Sequence, residues 1–468
     1  MSKMTPKKFD LVIYLVAATF FMENLDGTVI TTALPSMAKD FNVNPIDVAS
    51  GITSYLLTLA ILIPVSGWFS DRFGARRVFT LAIAIFTAAS VLCGLSESLS
   101  MFIFSRVLQG VGGALMVPVG RSVVLRGTPK DGVIRAIALI TWPGLIAPVL
   151  GPAIGGFIAT YASWHWIFFI NVPLGLIGIL MSLSLLESDK ELQRKPFDYL
   201  GFIFSGLALA TLIYGLELSQ HLEQNYLIVF ALIFVSGLSA YFTYHHLRHC
   251  AHPLVDLKLL NIPTFAISIH AGLFFRSALS AVPFLMPLIF QLEFGMDPFS
   301  AGLMVLSIFI GNLAMKAATS PILHRFGFKP VMLINGVLSI LSIIACALIS
   351  PAMPIPIIFA VLFLNGVFRS MQFTSINTLG FADLSSEQIS SASAITSASM
   401  QLSNTLGVAL ASLGLVIAHS FVSSQSATLT LKDFHLTLIF IALISLAGLV
   451  CLLKLPANAG QSIRKSQG

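Results

Sequence analysis

Apolar runs of about 20 residues recur along the whole chain, and few charged residues separate them. Such a run can cross a bilayer as a helix, because a helix satisfies its own backbone hydrogen bonds. Of the 468 residues, 56% are hydrophobic and only 10% are charged, and the mean hydropathy is +0.91. A soluble domain carries roughly 25% charged residues. The sequence therefore excludes a soluble, disordered or disulfide-scaffold protein and predicts an all-α integral membrane protein.

The apolar runs predict fourteen transmembrane helices, and their charges predict the orientation. The approximate spans are 11–33, 47–68, 77–96, 99–120, 134–160, 164–186, 198–217, 226–247, 264–290, 299–322, 330–350, 354–380, 391–419 and 436–455. With a cytoplasmic N-terminus, twenty of the 26 Lys and Arg residues fall in cytoplasmic segments, two fall on the opposite side and four lie inside spans. Because cytoplasmic loops carry an excess of Lys and Arg, we predict that both termini are cytoplasmic. The net charge of +6 then reflects orientation and not binding to nucleic acid.

The spans divide into two groups of six helices around an extra pair. We predict an N-terminal bundle over 1–190, the extra helices 7 and 8 with their linkers over 191–257, and a C-terminal bundle over 258–468. A repeat supports this division: the pattern Arg-Phe-Gly-x-basic-x-Val starts at Arg72 and again at Arg325, each time after the second helix of a half. Many secondary transporters are built from such duplicated bundles.

The first copy of the repeat belongs to a longer loop motif that we interpret as a gating motif. Its members are Gly67, Asp71, Arg72, Gly74, Arg76 and Arg77. Gly74 permits a tight turn between antiparallel helices, and Asp71 suits capping of the next helix or pairing with an arginine. The basic residues could bridge to the other bundle or to anionic lipid. A plain positively charged cytoplasmic turn would explain the arginines alone, but not the fixed Asp and Gly positions.

Four further motifs follow the order of a known family. They are Leu25–Pro35 in the first helix, Arg106–Ala114 in the fourth, Gly151–Gly156 in the fifth and Trp164–Gly175 at the entry to the sixth. With the loop motif, they resemble the major facilitator superfamily, in its fourteen-helix drug:proton antiporter branch of the EmrB and QacA type. Within that branch, Asn377–Leu379 and Met400–Ser403 are most similar to MdtD-type proteins.

The resemblance implies the major-facilitator fold and a proton-coupled antiporter that exports drugs or amphiphilic small molecules by alternating access. It implies no cofactor, since the proton gradient supplies the energy. Gly151, Pro152, Gly155 and Gly156 correspond to the antiporter motif, which flexes and seals one half against the other; plain small-residue packing is the alternative. Two positions depart from the family pattern: Ala147 replaces a glycine of that motif, and His324 replaces the acidic residue in the second loop copy.

Glu23, Asp26 and Arg106 are the candidates for proton coupling. The two acids lie three residues apart on one helix face. A charged carboxylate at mid-membrane costs about 2.5–3.5 kcal/mol on insertion scales, so we expect one of them to bind and release a proton. The resemblance implies a coupling role for Asp26, whereas Glu23 is an addition to the motif. Arg106 keeps its proton, so its expected role is electrostatic. Purely structural roles stay open for all three.

The candidate substrate cavity carries more positive than negative charge. Its predicted residues are Gln109, Arg276, Lys316, Arg369, Gln401 and Asn404. With only two acids inside the spans, such a cavity suits neutral, zwitterionic or anionic amphiphiles better than dicationic dyes. A dedicated transporter of one metabolite, such as an organic anion or a metal chelate, is therefore the alternative function. The basic side chains could instead snorkel or bind backbone carbonyls.

Other functions find less support in the sequence. A cluster of His245, His246, His249, Cys250 and His252 invites a metal interpretation. Its position after a helix end and the residues that follow it resemble an ordinary linker of the branch, so we predict no metal site. No metalloprotease, Walker or Gly-x-Ser-x-Gly motif occurs in the sequence, which argues against an enzyme or an ATP-driven pump. The expected partners are a small-molecule substrate, protons and membrane lipid, with no nucleic acid, and the oligomeric state stays open. The predicted location is the cytoplasmic membrane of a bacterium.

Overall fold

The computed structural model describes residues 6–127, 133–186, 196–219, 222–250, 253, 256–385, 388–422, 429–456 and 459–460. Within these ranges the regular structure is helical and no β-strand occurs. Thirteen of the described helices are long and apolar enough to cross a membrane, and the shorter apolar helix Ile146–Tyr161 lies in the predicted fifth span. The predicted all-α membrane architecture is confirmed.

The chain forms two compact units, of which the first comprises Met1–Phe197 and Asp297–Gly302. Its helices are α1 (Pro6–Val29), α2 (Leu34–Phe41), α3 (Pro45–Leu62), α4 (Ser66–Phe73), α5 (Ala75–Gly94), α6 (Leu99–Gly127), α7 (Val133–Tyr161), α8 (Trp166–Phe169) and α9 (Asn171–Leu185). Short 3₁₀ segments, Ile30–Thr32 and Ile63–Val65, follow α1 and α3. Side chains from α1, α3, α5, α6 and α9 build its main apolar core.

The second unit comprises Asp198–Met296 and Leu303–Gly468. Its helices are α10 (Tyr199–Leu218), α11 (Leu222–His249), α12 (Pro263–Leu288), α13 (Pro298–Phe326, whose first turn belongs to the first unit), α14 (Phe328–Ala347), α15 (Ile355–Gly380), α16 (Ile389–Val422) and α17 (Leu431–Leu453). A π-helical turn, Ile289–Glu293, extends α12. The separation of the extra pair from the C-terminal bundle at 257/258 stays a prediction.

Helices α10 and α11 contribute little to the interior of the second unit. Only 22% and 17% of their most apolar 18-residue windows are buried, against 78% for the corresponding window of α12. Both helices remain strongly apolar along these exposed faces. Because a soluble surface of this kind would be unfavourable, their outer faces are suited to lipid.

The two copies of the repeated loop motif form the same turn. Gly74 between α4 and α5 has a φ of 92°, and Gly327 between α13 and α14 has a φ of 83°. These angles lie in a region that L side chains rarely adopt, so each turn requires glycine. The glycine thus reverses the chain at the same position of each repeat.

The basic residue two positions after each glycine binds the end of another helix in its own unit. Arg76 Nη2 donates to the carbonyl of Leu183 at the end of α9, 2.5 Å away. Lys329 Nζ donates to the carbonyls of Leu453 and Leu455 at the end of α17, at 3.3 and 2.5 Å. The last carbonyls of a helix lack internal partners and carry partial negative charge, so a cation is favourable there. Each copy of the motif therefore caps the final helix of its half.

Replacing Gly74 by Ala should lower the free energy of unfolding by about 1–3 kcal/mol, because alanine is strained at this backbone conformation. Thermal unfolding of the purified protein in detergent measures the effect. Gly67→Ala is the matched control: it lies in the same motif, has space for a Cβ within helix α4 and has no unusual φ. Equal unfolding temperatures for the two variants would contradict the conclusion that the turn at position 74 requires glycine.

Candidate functional site

A buried ion pair joins α1 and α6 in the first unit. Arg106 Nη1 donates to Asp26 Oδ2 over 2.6 Å, and both side chains are fully buried. Arg106 Nε donates to the carbonyl of Gly51 in α3, 3.2 Å away. Burying two charges is costly unless further hydrogen bonds satisfy the groups around them.

Three more polar side chains complete this network. Gln109 Nε2 donates to Asp26 Oδ1 at 2.8 Å, and Asn171 Nδ2 donates to the same oxygen at 2.9 Å. Gln109 also accepts from Arg106 Nη1 at 2.6 Å and donates to Ser90 Oγ at 2.9 Å. Asp26 therefore accepts three hydrogen bonds, from α6 and α9, and the network reaches α5 through Ser90.

Aromatic rings enclose the guanidinium group. Arg106 Cζ lies 4.1 Å from the ring centre of Tyr55 and 5.9 Å from that of Phe168. A cation over a desolvated aromatic face gains on the order of 2 kcal/mol. Within the described part of the chain, Arg106 Nη2 has no hydrogen-bond partner. The ring contacts thus stabilise the part of the Arg106 guanidinium that forms no hydrogen bond.

Glu23 lies one helical turn before Asp26 but in a different environment. Its Oε2 is buried without a hydrogen-bond partner in the described residues, although the side chain as a whole is only half-buried. The hydroxyl of Tyr55 is also buried and unpartnered by the same criterion. A Cβ at Gly113 of α6 would lie 3.3 Å from Tyr55 Oη and 3.8 Å from Glu23 Cγ. These two groups are therefore within about 7 Å of each other.

The structure thus brings together Asp26, Arg106 and Gln109, with Glu23 beside them. Gln109 was predicted to line the substrate cavity; it lies in the ion-pair network, and a cavity role for it stays a prediction. Sequence reasoning missed Tyr55, Ser90 and Asn171. Asn171 lies inside the recognised motif at the entry to helix six, so its polar side chain could have indicated a site residue. No motif or pattern in the sequence marked Tyr55.

The glycines of the fifth-helix motif let α7 approach α1. Gly151 faces Thr28, and Gly155 faces the backbone carbonyl of Val29, with no space for a Cβ at either position. Thr28 and Val29 directly follow the stretch of α1 that carries Asp26. Small-residue packing of this kind permits close helix contact.

The same motif also packs on the segment Asp297–Gly302. Gly156 faces the backbone of Pro298, and Gly302 faces the carbonyl of Pro152. Thr160 Oγ1 accepts a hydrogen bond from the amide of Phe299 at 3.1 Å. The small-residue packing that we considered as the alternative is therefore present, and a sealing role for the motif stays a prediction.

In the second unit, Arg276 of α12 is a buried cation with neutral partners. Its Nη1 donates to Asn377 Oδ1 at 3.3 Å, and its Nη2 donates to Ser399 Oγ at 3.1 Å. Its Nε is buried and, among the described atoms, unpartnered. No salt bridge to Arg276 occurs within the described residues. The guanidinium does not snorkel but binds side chains of α15 and α16.

The other predicted cavity residues of this unit differ in exposure. Arg369 is half-buried and donates from Nη1 to the carbonyl of Leu279 at 3.1 Å, which matches the alternative of carbonyl binding. Lys316 is exposed on α13. Asn404 accepts from Ser280 Oγ at 2.8 Å and donates to Gln401 Oε1 at 3.3 Å.

The polar residues of the loop motif lie at the end of α4 and the start of α5. Asp71 and Arg72 are half-buried in the last turn of α4 and Arg77 is exposed, so their gating role stays a prediction.

Asp198, His246 and Cys250 place their ligand atoms within 4.8 Å of one another. His246 Nε2 lies 2.7 Å from Asp198 Oδ1, which also accepts from the amide of Gly201 at the start of α10. Asp198 therefore caps α10 and joins it to α11 through His246, which accounts for the contact without a metal ion. His252 lies outside the described residues.

The sequence model of the Major Facilitator Superfamily matches residues 16–281 and 269–468. The chain belongs to this family. It is 38% identical to the MdtD protein of Pectobacterium atrosepticum, over 94% of each chain. It is 36% identical to MdtD of Escherichia coli, over 97% of this chain and 96% of the relative. Both relatives are named as multidrug resistance proteins.

Solved transporters share the fold. A D-xylose–proton symporter superimposes with a TM-score of 0.67 at 14% identity, covering 96% of this chain and 98% of the symporter. A peptide transporter of the POT family gives a TM-score of 0.67 at 16% identity, covering 97% and 100%. The predicted family and fold are confirmed. The protein is a multi-pass membrane transporter and not an enzyme, and its family uses no cofactor.

Asp26→Asn should destabilise the first unit by about 3–5 kcal/mol, because it leaves Arg106 as a buried cation without its counter-ion. Asp26→Asn combined with Arg106→Gln should recover much of that loss, because both charges are then gone. A double-mutant cycle on unfolding in detergent measures the coupling energy. Glu97→Gln, which removes an exposed loop carboxylate, is the control. Additive effects of the two single substitutions would contradict the ion pair.

Proposed function

We propose that the protein is a proton-coupled antiporter that exports drugs or other amphiphilic small molecules across the bacterial cytoplasmic membrane by alternating access. The family membership and the names of the MdtD relatives support a role in the export of small molecules. Protons and substrate would then be the two partners that cross the membrane in opposite directions.

The observation that carries this proposal is the acidic site on α1. Two carboxylates lie within one turn of a transmembrane helix, and one of them is fully buried against Arg106. Ionisable groups inside a membrane are costly, and where they persist they mark ion or proton pathways. A facilitator that only equilibrated its substrate would need no such group.

The proton gradient supplies enough energy for export. One charge that moves through 100 mV releases about 2.3 kcal/mol, which corresponds to roughly a fifty-fold concentration ratio. In the orientation that the positive-inside pattern predicts, both termini and both repeated loops would lie on the cytoplasmic side. Protons would enter from the outside as substrate leaves the cytoplasm.

A second candidate function is the transport of an organic anion. Arg276 in the second unit is buried, has only neutral hydrogen-bond partners and keeps one N–H unpartnered in the described structure. A guanidinium in this state can bind a carboxylate with charge-assisted hydrogen bonds. This observation favours an anionic or zwitterionic substrate over a dication.

Proton release from acid-loaded everted vesicles tests the antiport. Ethidium, chloramphenicol and benzoate serve as cationic, neutral and anionic probes. At least one probe should release protons with wild type and with Glu97→Gln, but not with Asp26→Asn. Wild-type vesicles that release no protons with any probe, while they still accumulate one of them, would contradict proton coupling.

The charge of Arg276 should decide between substrate classes. Arg276→Gln together with Lys316→Gln should raise the KM for benzoate about tenfold or more and leave the KM for ethidium unchanged or lower. Lys432→Gln, which removes an exposed charge at the start of α17, is the control. An unchanged KM for benzoate in the double variant would exclude an anion site at these residues.

A further inference from the structure

Glu23 and Asp26 share a helix face in the sequence, but the structure gives them different chemistry. Asp26 is 1% exposed and accepts hydrogen bonds from Arg106, Gln109 and Asn171. Protonating it would break the ion pair and leave the guanidinium as an unpaired buried cation. Asp26 is therefore the counter-ion that the buried guanidinium of Arg106 requires.

Glu23 has the opposite properties. Its side chain is partly exposed, unlike that of Asp26, while its Oε2 is buried with no donor in the described residues. A buried ionised oxygen without a donor is costly, whereas protonation removes the charge of the carboxylate. Glu23 can therefore gain or lose a proton without breaking an ion pair, because none of the described salt bridges includes it.

The charges around Glu23 also favour a switch at this position. Asp26 on its own helix and Tyr55 on α3 are the titratable groups beside it, and Arg106 on α6 contacts both of them. The described side chains of α7 and α9, which also pack on α1, include no acid or base apart from Tyr161 at the far end of α7. Because Asp26 and Arg106 neutralise each other, Glu23 changes the net charge of the site when it titrates.

We propose that Glu23 is the residue that binds and releases the transported proton, and that the Asp26–Arg106 pair is its fixed electrostatic support. The proposal rests on the proposed antiport function and differs from the coupling role that the family resemblance implies for Asp26. The step is a simple protonation: the Glu23 carboxylate takes a proton from the outside and later returns it to the cytoplasm. The charge of no other group changes.

Transport by wild type and by each variant, reconstituted into vesicles, tests whether Glu23 carries the proton. Ethidium, chloramphenicol and benzoate are the probes. Glu23→Gln should lose transport driven by a pH gradient at least tenfold but keep substrate exchange at equal pH on both sides. Its probe affinity should no longer depend on pH. Glu97→Gln should match wild type in every assay.

A spectroscopic measurement tests the assignment without relying on transport. Infrared difference spectra between acid and alkaline pH should lose a protonated-carboxyl band in Glu23→Gln and keep it in Asp26→Asn.

Failure of the Glu23 assignment can be distinguished from failure of the antiport function. If Glu23→Gln retains gradient-driven transport and the infrared band, while wild type couples protons, Glu23 is not the carrier and the antiport function stands. If wild type itself shows no gradient-driven transport of a probe that it exchanges, the antiport function and this inference both fail.

Discussion

The arrangement of the first unit depends on the ion pair between Asp26 and Arg106. The pair is buried, so each charge must be compensated where it lies, and the compensating groups come from different helices. Gly51 contributes from α3, Gln109 from α6 and Asn171 from α9. A displacement of one of these helices would break a charge-assisted hydrogen bond in a medium of low dielectric constant, where such bonds are strong.

Small residues allow the charged site to form. Gly113 leaves space between α6 and the side chains of Glu23 and Tyr55, and Gly151 lets α7 approach α1 next to the acids. The second unit follows a different design, because its buried cation Arg276 has amide and hydroxyl partners instead of a carboxylate. The two units are similar in helical architecture and unlike in the partners of these buried arginines.

Much of the architecture was predictable because the bilayer imposes a simple rule of length and polarity. Thirteen described helices meet that rule, and the repeated glycine turns at Gly74 and Gly327 were visible as a motif. The environments of the two acids were not predictable. Their spacing places them on one face, and only the tertiary packing of α6 and α9 gives donors to Asp26, while none of the described residues donates to Glu23 Oε2. Tyr55 was missed for the same reason, since an aromatic residue in an apolar span carries no sequence signal of its contacts.

The caps supplied by Arg76 and Lys329 bear on how the chain could acquire additional helices. Because Arg76 already satisfies the carbonyl of Leu183, the end of α9 does not depend on the residues that follow it for this interaction. A six-helix half that closes its own last helix can accept additional sequence at that boundary without losing this cap. The α10–α11 pair follows this boundary in the chain, and most of its apolar surface is exposed and not packed in the interior.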